Sequence, residues 1–240
     1  MTLPPGQQLV GGFPRFGTQL GRPPPAVPID PVIKISGAVT APFSLPLAEL
    51  ATLARREVTA DFHCVAGWSA TDLHWEGVAF ETLYRAILEP SVQPGTSVTH
   101  IVFGGLDGFR SVVSVEDALA GDLLIAECLD GRPLDGDHGA PVRLVSPNQY
   151  GYVSVKHLCS ITLHTAEPRG IHRSLALRLL KAHPRARVWQ EERHHYFPGW
   201  SVRHLYRLLR RPLLVLSTRS GRRFVTRLCN RPHPKLSLGR

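Results

Sequence analysis

Cys64 stands in Asp-Phe-His-Cys-Val-Ala-Gly-Trp-Ser, residues 61–69, directly after His63 and just before a Gly-Trp pair. A thiol in that setting can be a small buried hydrophobe, half of a disulfide, a nucleophile or a soft metal ligand. The chain's other cysteines, Cys128, Cys159 and Cys229, are far away and no CxxC spacing occurs, which argues against both a zinc ribbon and a disulfide scaffold. A papain-like nucleophile would need a helix N-terminus beneath the cysteine. Here Cys64 closes an alternating run that reads as a strand, which disfavours attack chemistry and leaves the buried filler and the metal ligand open. His183, His194 and His195 fit no established zinc spacing.

A second chemically loaded stretch runs from Asp135 to His157. Arg143 sits between Val142 and Leu144 in a strand-like run, an awkward place for a permanent cation unless an anion meets it. The following loop, Asn148 to Lys156, combines glycine, Ser154 and a lysine. Free backbone N–H groups, a hydroxyl and a positive charge are what a phosphate-holding loop needs.

The elements that must position these groups are mostly short strands. Residues 1–31 are rich in proline and glycine and read as an extended strap. Alternation predicts strands at Val-Ile-Lys-Ile-Ser-Gly from Val32 and over Glu57–Cys64, the latter with Val58, Ala60, Phe62 and Cys64 on one face. Leucine spacing from Leu47 predicts a short helix. The stretch from His74 reads as a turn followed by an amphipathic helix with Phe80, Leu83 and Ile87 on one side. A strand from Ser97 to Gly105 and a helix capped by Ser114 come next. Two strands flank the Asp130-Gly131 turn, and two more are joined by the Pro147-Asn148 loop. The fold class is α+β, with mixed β-sheets and interspersed helices.

Hydrophobic residues make up 43% of the 240, enough for one sizeable core. The formal charge of +9 is unevenly placed: residues 165–240 hold 18 Lys/Arg against 3 Asp/Glu, and the preceding 164 residues hold 10 against 16. The chain therefore divides into a domain over residues 1–164 and a basic extension over 165–240, with helices expected over 172–182 and 201–211. A cytoplasmic location is the expectation from the absence of a secretory pattern at the start and from the scattered cysteines. The extension suits docking of an acidic electron-transfer protein, with nucleic acid or an anionic membrane surface as the alternatives.

The two chemical stretches together resemble sulfite-oxidase-like molybdenum enzymes. Residues 63–80, HCVAGWSATDLHWEGVAF, are similar to that family's cysteine motif, and residues 137–158, DHGAPVRLVSPNQYGYVSVKHL, to its second motif. The resemblance runs over about residues 4–164. It implies that Cys64 ligates molybdenum carried by a molybdopterin, and that His138, Arg143, Ser154, Val155 and Lys156 hold the pterin and its phosphate. Phe13 and His63 are implied as further cofactor contacts. Trp68, Ser69 and Phe109 are expected to line a substrate funnel. The implied activity is oxygen-atom transfer, or a related two-electron step, on a small-molecule substrate. The alternative is a non-catalytic relative whose basic extension binds nucleic acid or an acidic partner. Two departures qualify the likeness: Gly67-Trp68-Ser69 stands where sulfite oxidases carry arginines, which speaks against sulfite, and Phe109 stands where the family often has a tyrosine.

Overall fold

The protein is described by a computed structural model covering residues 2–16, 23–168 and 182–229. Eleven strands form two mixed sheets. They are β1 (Gln8–Leu9), β2 (Val32–Gly37), β3 (Phe43–Pro46), β4 (Arg55–His63), β5 (Trp68–Ala79), β6 (His100–Gly105), β7 (Arg110–Ser114), β8 (Leu124–Leu129), β9 (Arg132–Pro133), β10 (Arg143–Val145) and β11 (Leu158–His164). One sheet runs β1-β5-β8-β10, with β4 also on β5 and β9 on β8; the other runs β3-β2-β11-β6-β7. The architecture is α+β, as expected from the alternating runs.

The alternation in β2 puts Ile33 and Ile35 into the main core, where they meet Leu45 of β3 and Ile161 of β11. From the other sheet Val78, Ile125 and Leu144 reach the same core, and Phe80, Leu83 and Leu88 cover it from the helical stretch Phe80–Ser91. Each fully buried leucine or isoleucine there contributes about 1.5–3 kcal/mol. A second apolar cluster, built on Cys64, Trp68, Trp75 and Ala126, lies around the thiol.

Three local expectations are corrected. Residues His74–Ala79 are not a turn; they continue β5, paired with β4 and β8. Gly77 misleads because its glycine serves close packing: a Cβ there would lie 2.0 Å from the Ile125 carbonyl oxygen. The helix expected over 201–211 belongs to a longer one, Gly199–Cys229. That expected over 172–182 lies, but for Ala182, outside the described residues. The strap is not only a surface wrap, since β1 adds to β5 in parallel with Gln8 opposite Trp68.

Residues from 182 to 214 pack on the sheets through polar contacts. Gln149 donates to the Arg185 carbonyl, the Arg185 guanidinium pairs with Asp117, and Arg187 pairs with Glu192. Part of the basic charge counted in the sequence is thus neutralised by ion pairs.

Candidate functional site

The cysteine sits on a hairpin turn. β4 ends at His63, and Gly67 N–H donates back to the Cys64 carbonyl at 2.9 Å, while Cys64 N–H donates to the Trp68 carbonyl at 2.8 Å. Gly67 closes the turn at φ +88°, a left-handed conformation that a side chain disfavours. Three segments distant in sequence tie this turn down: Gln7 Nε2 donates to the Cys64 carbonyl, Arg193 to Val65 and Arg210 to Gly67. The thiol is buried, and burial pushes its pKa up to about 12 against smaller lowering effects from the Ala66 N–H, Arg193 and Lys156. An unliganded Cys64 is therefore a protonated thiol, poorly suited to nucleophilic attack.

Cys64 opens onto a cavity of about 400 Å³. Its wall is largely aromatic, with Phe16, Phe62, Trp68, Phe109, Tyr152 and Tyr206. Arg143, Ser154, Lys156 and His157 supply the polar part. Arg143 is fully buried in β10 and donates to the carbonyls of His138 at 2.9 Å and Ser154 at 3.3 Å. Its guanidinium lies 5.1 to 5.7 Å from the ring centroids of Trp75, Phe13 and Phe62. No carboxylate pairs with it among the described residues, and burial pushes its pKa down to about 9. Lys156 donates to the Asp137 carbonyl at 2.6 Å, and burial, reinforced by Arg143 and Arg15, pushes its pKa down to about 7. Two desolvated cations without a counter-ion form a site that an anion would stabilise.

The expected residues divide into two groups. Cys64, Trp68, Phe109, Arg143, Ser154 and Lys156 line the one cavity. Phe13, His63, Ser69, His138 and Val155 are not among its lining residues. Ser69 is fully buried, donating to Gln7 Oε1 and bonded to His63 Nδ1 at 2.8 Å, so both side chains are consumed behind the turn rather than in a funnel. Burial lowers the His63 pKa and keeps its ring neutral near pH 7. His138 is held by Asp135 and by the Phe13 carbonyl at 3.0 Å, and its ring stacks on Phe13. Val155 belongs to the main core.

The loop over 148–156 differs from the expected phosphate cradle. The N–H groups of Gln149, Tyr150, Gly151, Val153, Ser154 and Val155 already donate to carbonyls, and the Ser154 hydroxyl accepts from Ser146 N–H. The side chains of Arg143, Lys156 and Ser154 are therefore better placed to hold an anion than these N–H groups. The residues missed by sequence reasoning, Tyr206, His157 and Arg15 among them, come from other segments; only tertiary packing brings them to the cavity.

A sequence model of the oxidoreductase molybdopterin binding domain matches residues 24–172, more than half of the chain. The chain belongs to this family. Two curated relatives are similar in sequence. The uncharacterized oxidoreductase YuiH of Bacillus subtilis (strain 168) is 30% identical over 130 residues, covering 54% of this chain and 63% of that protein. The protein-methionine-sulfoxide reductase catalytic subunit MsrP of Xanthomonas axonopodis pv. citri (strain 306) is 32% identical over 168 residues, covering 62% of this chain and 51% of that protein. The chain thus spans between half and two thirds of the length of these relatives. The sulfane dehydrogenase SoxCD of Paracoccus pantotrophus is 21% identical with a TM-score of 0.49, covering 57% of this chain and 38% of that chain.

The cavity fits the cofactor of the family. It offers one buried thiol, a soft donor suited to molybdenum, and two buried cations suited to a phosphate. Beside it the indole Nε1 of Trp68 is a buried donor with no hydrogen-bond partner among the described residues. Gly139, at φ +109°, leaves room beside the cations, because a Cβ there would approach Lys156 and Arg143 side chains at 3.1 and 3.2 Å.

Proposed function

We propose that this molybdopterin-domain oxidoreductase transfers an oxygen atom to or from an uncharged sulfur or nitrogen centre, sulfoxides and N-oxides being the favoured substrate classes. Cys64 would hold the metal, and Arg143, Lys156 and Ser154 would hold the pterin and its phosphate. When bound, the cofactor supplies a metal centre that exchanges two electrons with the substrate. The chain's part is to fix that centre against β5, to exclude water with the aromatic wall, and to neutralise the phosphate.

The observation that carries this reading is one cavity with a lone buried thiol on one wall and two counter-ion-free cations on another. The preference for uncharged substrates follows from the cations that remain. Arg15 is paired with Asp137, and Arg193 is directed at the Val65 and Pro5 carbonyls behind the cysteine turn. Neither is offered to an anion such as sulfite. The sulfoxide activity named for MsrP is consistent with this choice. Reduction of a sulfoxide consumes two electrons and two protons and releases a sulfide and water, so an electron donor is required.

The test is purification from cells competent in molybdopterin synthesis, metal and pterin analysis, and turnover of sulfoxides, N-oxides and sulfite with artificial electron donors and acceptors. The expected result is stoichiometric molybdenum, its loss in Cys64→Ser with the fold retained, and sulfoxide or N-oxide reduction without sulfite oxidation. Metal-free protein from such cells overturns the enzymatic reading, and sulfite as the best substrate overturns the specificity.

A further inference from the structure

The helix Gly199–Cys229 packs a mixed side inward, in which two arginines stand among apolar residues. At 3.6 residues per turn, Val202, Arg203, Tyr206, Arg210 and Leu214 fall on one side, and these face the domain. Arg203 pairs with Glu191, Tyr206 lines the cavity with its hydroxyl 2.7 Å from His194 Nε2, and Arg210 is 9% exposed with Nη1 on the Gly67 carbonyl. The opposite side carries Leu205, Leu208 and Val215, which are 54%, 76% and 46% exposed, and Trp200 and Leu209, 67% and 42% exposed, stand on its two flanks. A water-facing helix side normally carries polar residues at such positions.

In the segment before the helix, Trp189, Tyr196 and Phe197 are also exposed. One edge of the helix's outward side is cationic, with exposed Arg207 and Arg211 beside His204. From residue 193 to residue 240 the sequence has 12 Lys/Arg and no Asp or Glu. No helix among the described residues is long and apolar enough to cross a membrane.

We propose that this face docks on an anionic lipid surface, the leucines and Trp200 entering the headgroup boundary while Arg207 and Arg211 meet lipid phosphates. Leucine and tryptophan on one side with arginine along its edge is the composition of a helix lying in the bilayer interface. Aromatic side chains belong at the headgroup level, where an apolar ring and a polar edge are both accommodated. Charge complementarity selects anionic lipid, because no carboxylate within the face or after it opposes the phosphates. An acidic electron-transfer protein would satisfy the arginines. It would leave unexplained a strip of leucines exposed along several turns. Lipid contact uses the outward side only, so Tyr206 and the cavity wall are untouched.

The test uses the full chain, loaded with cofactor, and unilamellar vesicles of phosphatidylcholine with and without phosphatidylglycerol. The wild type should float with the phosphatidylglycerol vesicles and not with phosphatidylcholine alone, with a blue shift of tryptophan emission. Leu208→Ser and Trp200→Ser should each weaken binding about tenfold. Replacing Arg207 or Arg211 by glutamine should weaken it about fivefold each. Helix content, molybdenum content and basal turnover should be unchanged in Leu208→Ser, which separates this proposal from the enzymatic one. Failure to float with anionic vesicles at low salt overturns it. Binding that survives both serine substitutions also overturns it, because net positive charge alone would then be responsible, as for nucleic acid or an acidic protein.

Discussion

Arg193→Met should destabilise the protein and loosen the cysteine turn together. Arg193 is fully buried, donates to the carbonyls of Val65 and Pro5, and lies 5.0 and 5.5 Å from the ring centroids of Tyr150 and Tyr206. Methionine keeps most of the apolar stem and removes the charge. Two hydrogen bonds from a charged donor are lost, each contributing about 1.5–3 kcal/mol. Against this stands the desolvation cost of a buried cation, several kcal/mol, which the variant no longer bears. The net loss is about 2–4 kcal/mol, mostly from two part-buried carbonyls left without their charged donor. At about 2–4 °C per kcal/mol for a chain of this size, the expected fall in Tm is about 6–12 °C for a loss near 3 kcal/mol. Calorimetry of the cofactor-free protein measures it, and hydrogen exchange of residues 64–68 should rise in step. A Tm within about 2 °C of wild type, with unchanged exchange at the turn, would refute the assigned role. Arg185→Met, which breaks a more exposed pair with Asp117, should cost clearly less.

Three further outcomes follow from the same groups. Lys156 has its pKa depressed from 10.5 to about 7 by burial, so between those values the unfolded chain binds the extra proton; cofactor-free protein should gain stability as pH rises from about 7 towards 10.5, and Lys156→Met should abolish that rise in urea titrations. A bound phosphate restores the charge of Lys156 and should remove the rise in loaded protein. Cys64, its thiol pKa pushed up to about 12, should resist iodoacetamide at pH 8 in the cofactor-free protein, as peptide mass spectrometry would show, and loading the metal should release its proton to a pH indicator. Gly139→Ala forces a side chain into a left-handed position against both cations; a loss of about 1–3 kcal/mol in thermal unfolding and reduced pterin content are expected.

Chemistry carried by residue type was the legible part of the site. A lone cysteine closing a strand and an arginine within one are unusual enough to stand out, and the structure places both on one cavity with Lys156. Residues whose meaning depends on what packs against them were not legible. Gly77 reads as a turn, yet it lets β5 pass the Ile125 carbonyl. The N–H groups of the 148–156 loop look free in sequence because nothing there reveals that His63 and Ala186 carbonyls accept from Gly151 and Tyr150. His63 and Ser69, one on each side of the turn, read as site residues. A glutamine 62 residues before Ser69 completes their hydrogen-bond network instead. The strands were recoverable because their period-two alternation is local, whereas Tyr206 gives no local sign that it will border the cavity.

The three ties on the cysteine turn also set an order of assembly during synthesis. Gln7 leaves the ribosome before Cys64, whereas Arg193 and Arg210 follow it by more than a hundred residues. While the chain grows, the Cys64 carbonyl can be held from one side, but those of Val65 and Gly67 wait for residues 193 and 210. A nascent or C-terminally cut chain can therefore complete most of both sheets and still lack a finished seat for the thiol. The seat of the thiol therefore needs the chain through residue 210, well after the strands that carry most of both sheets.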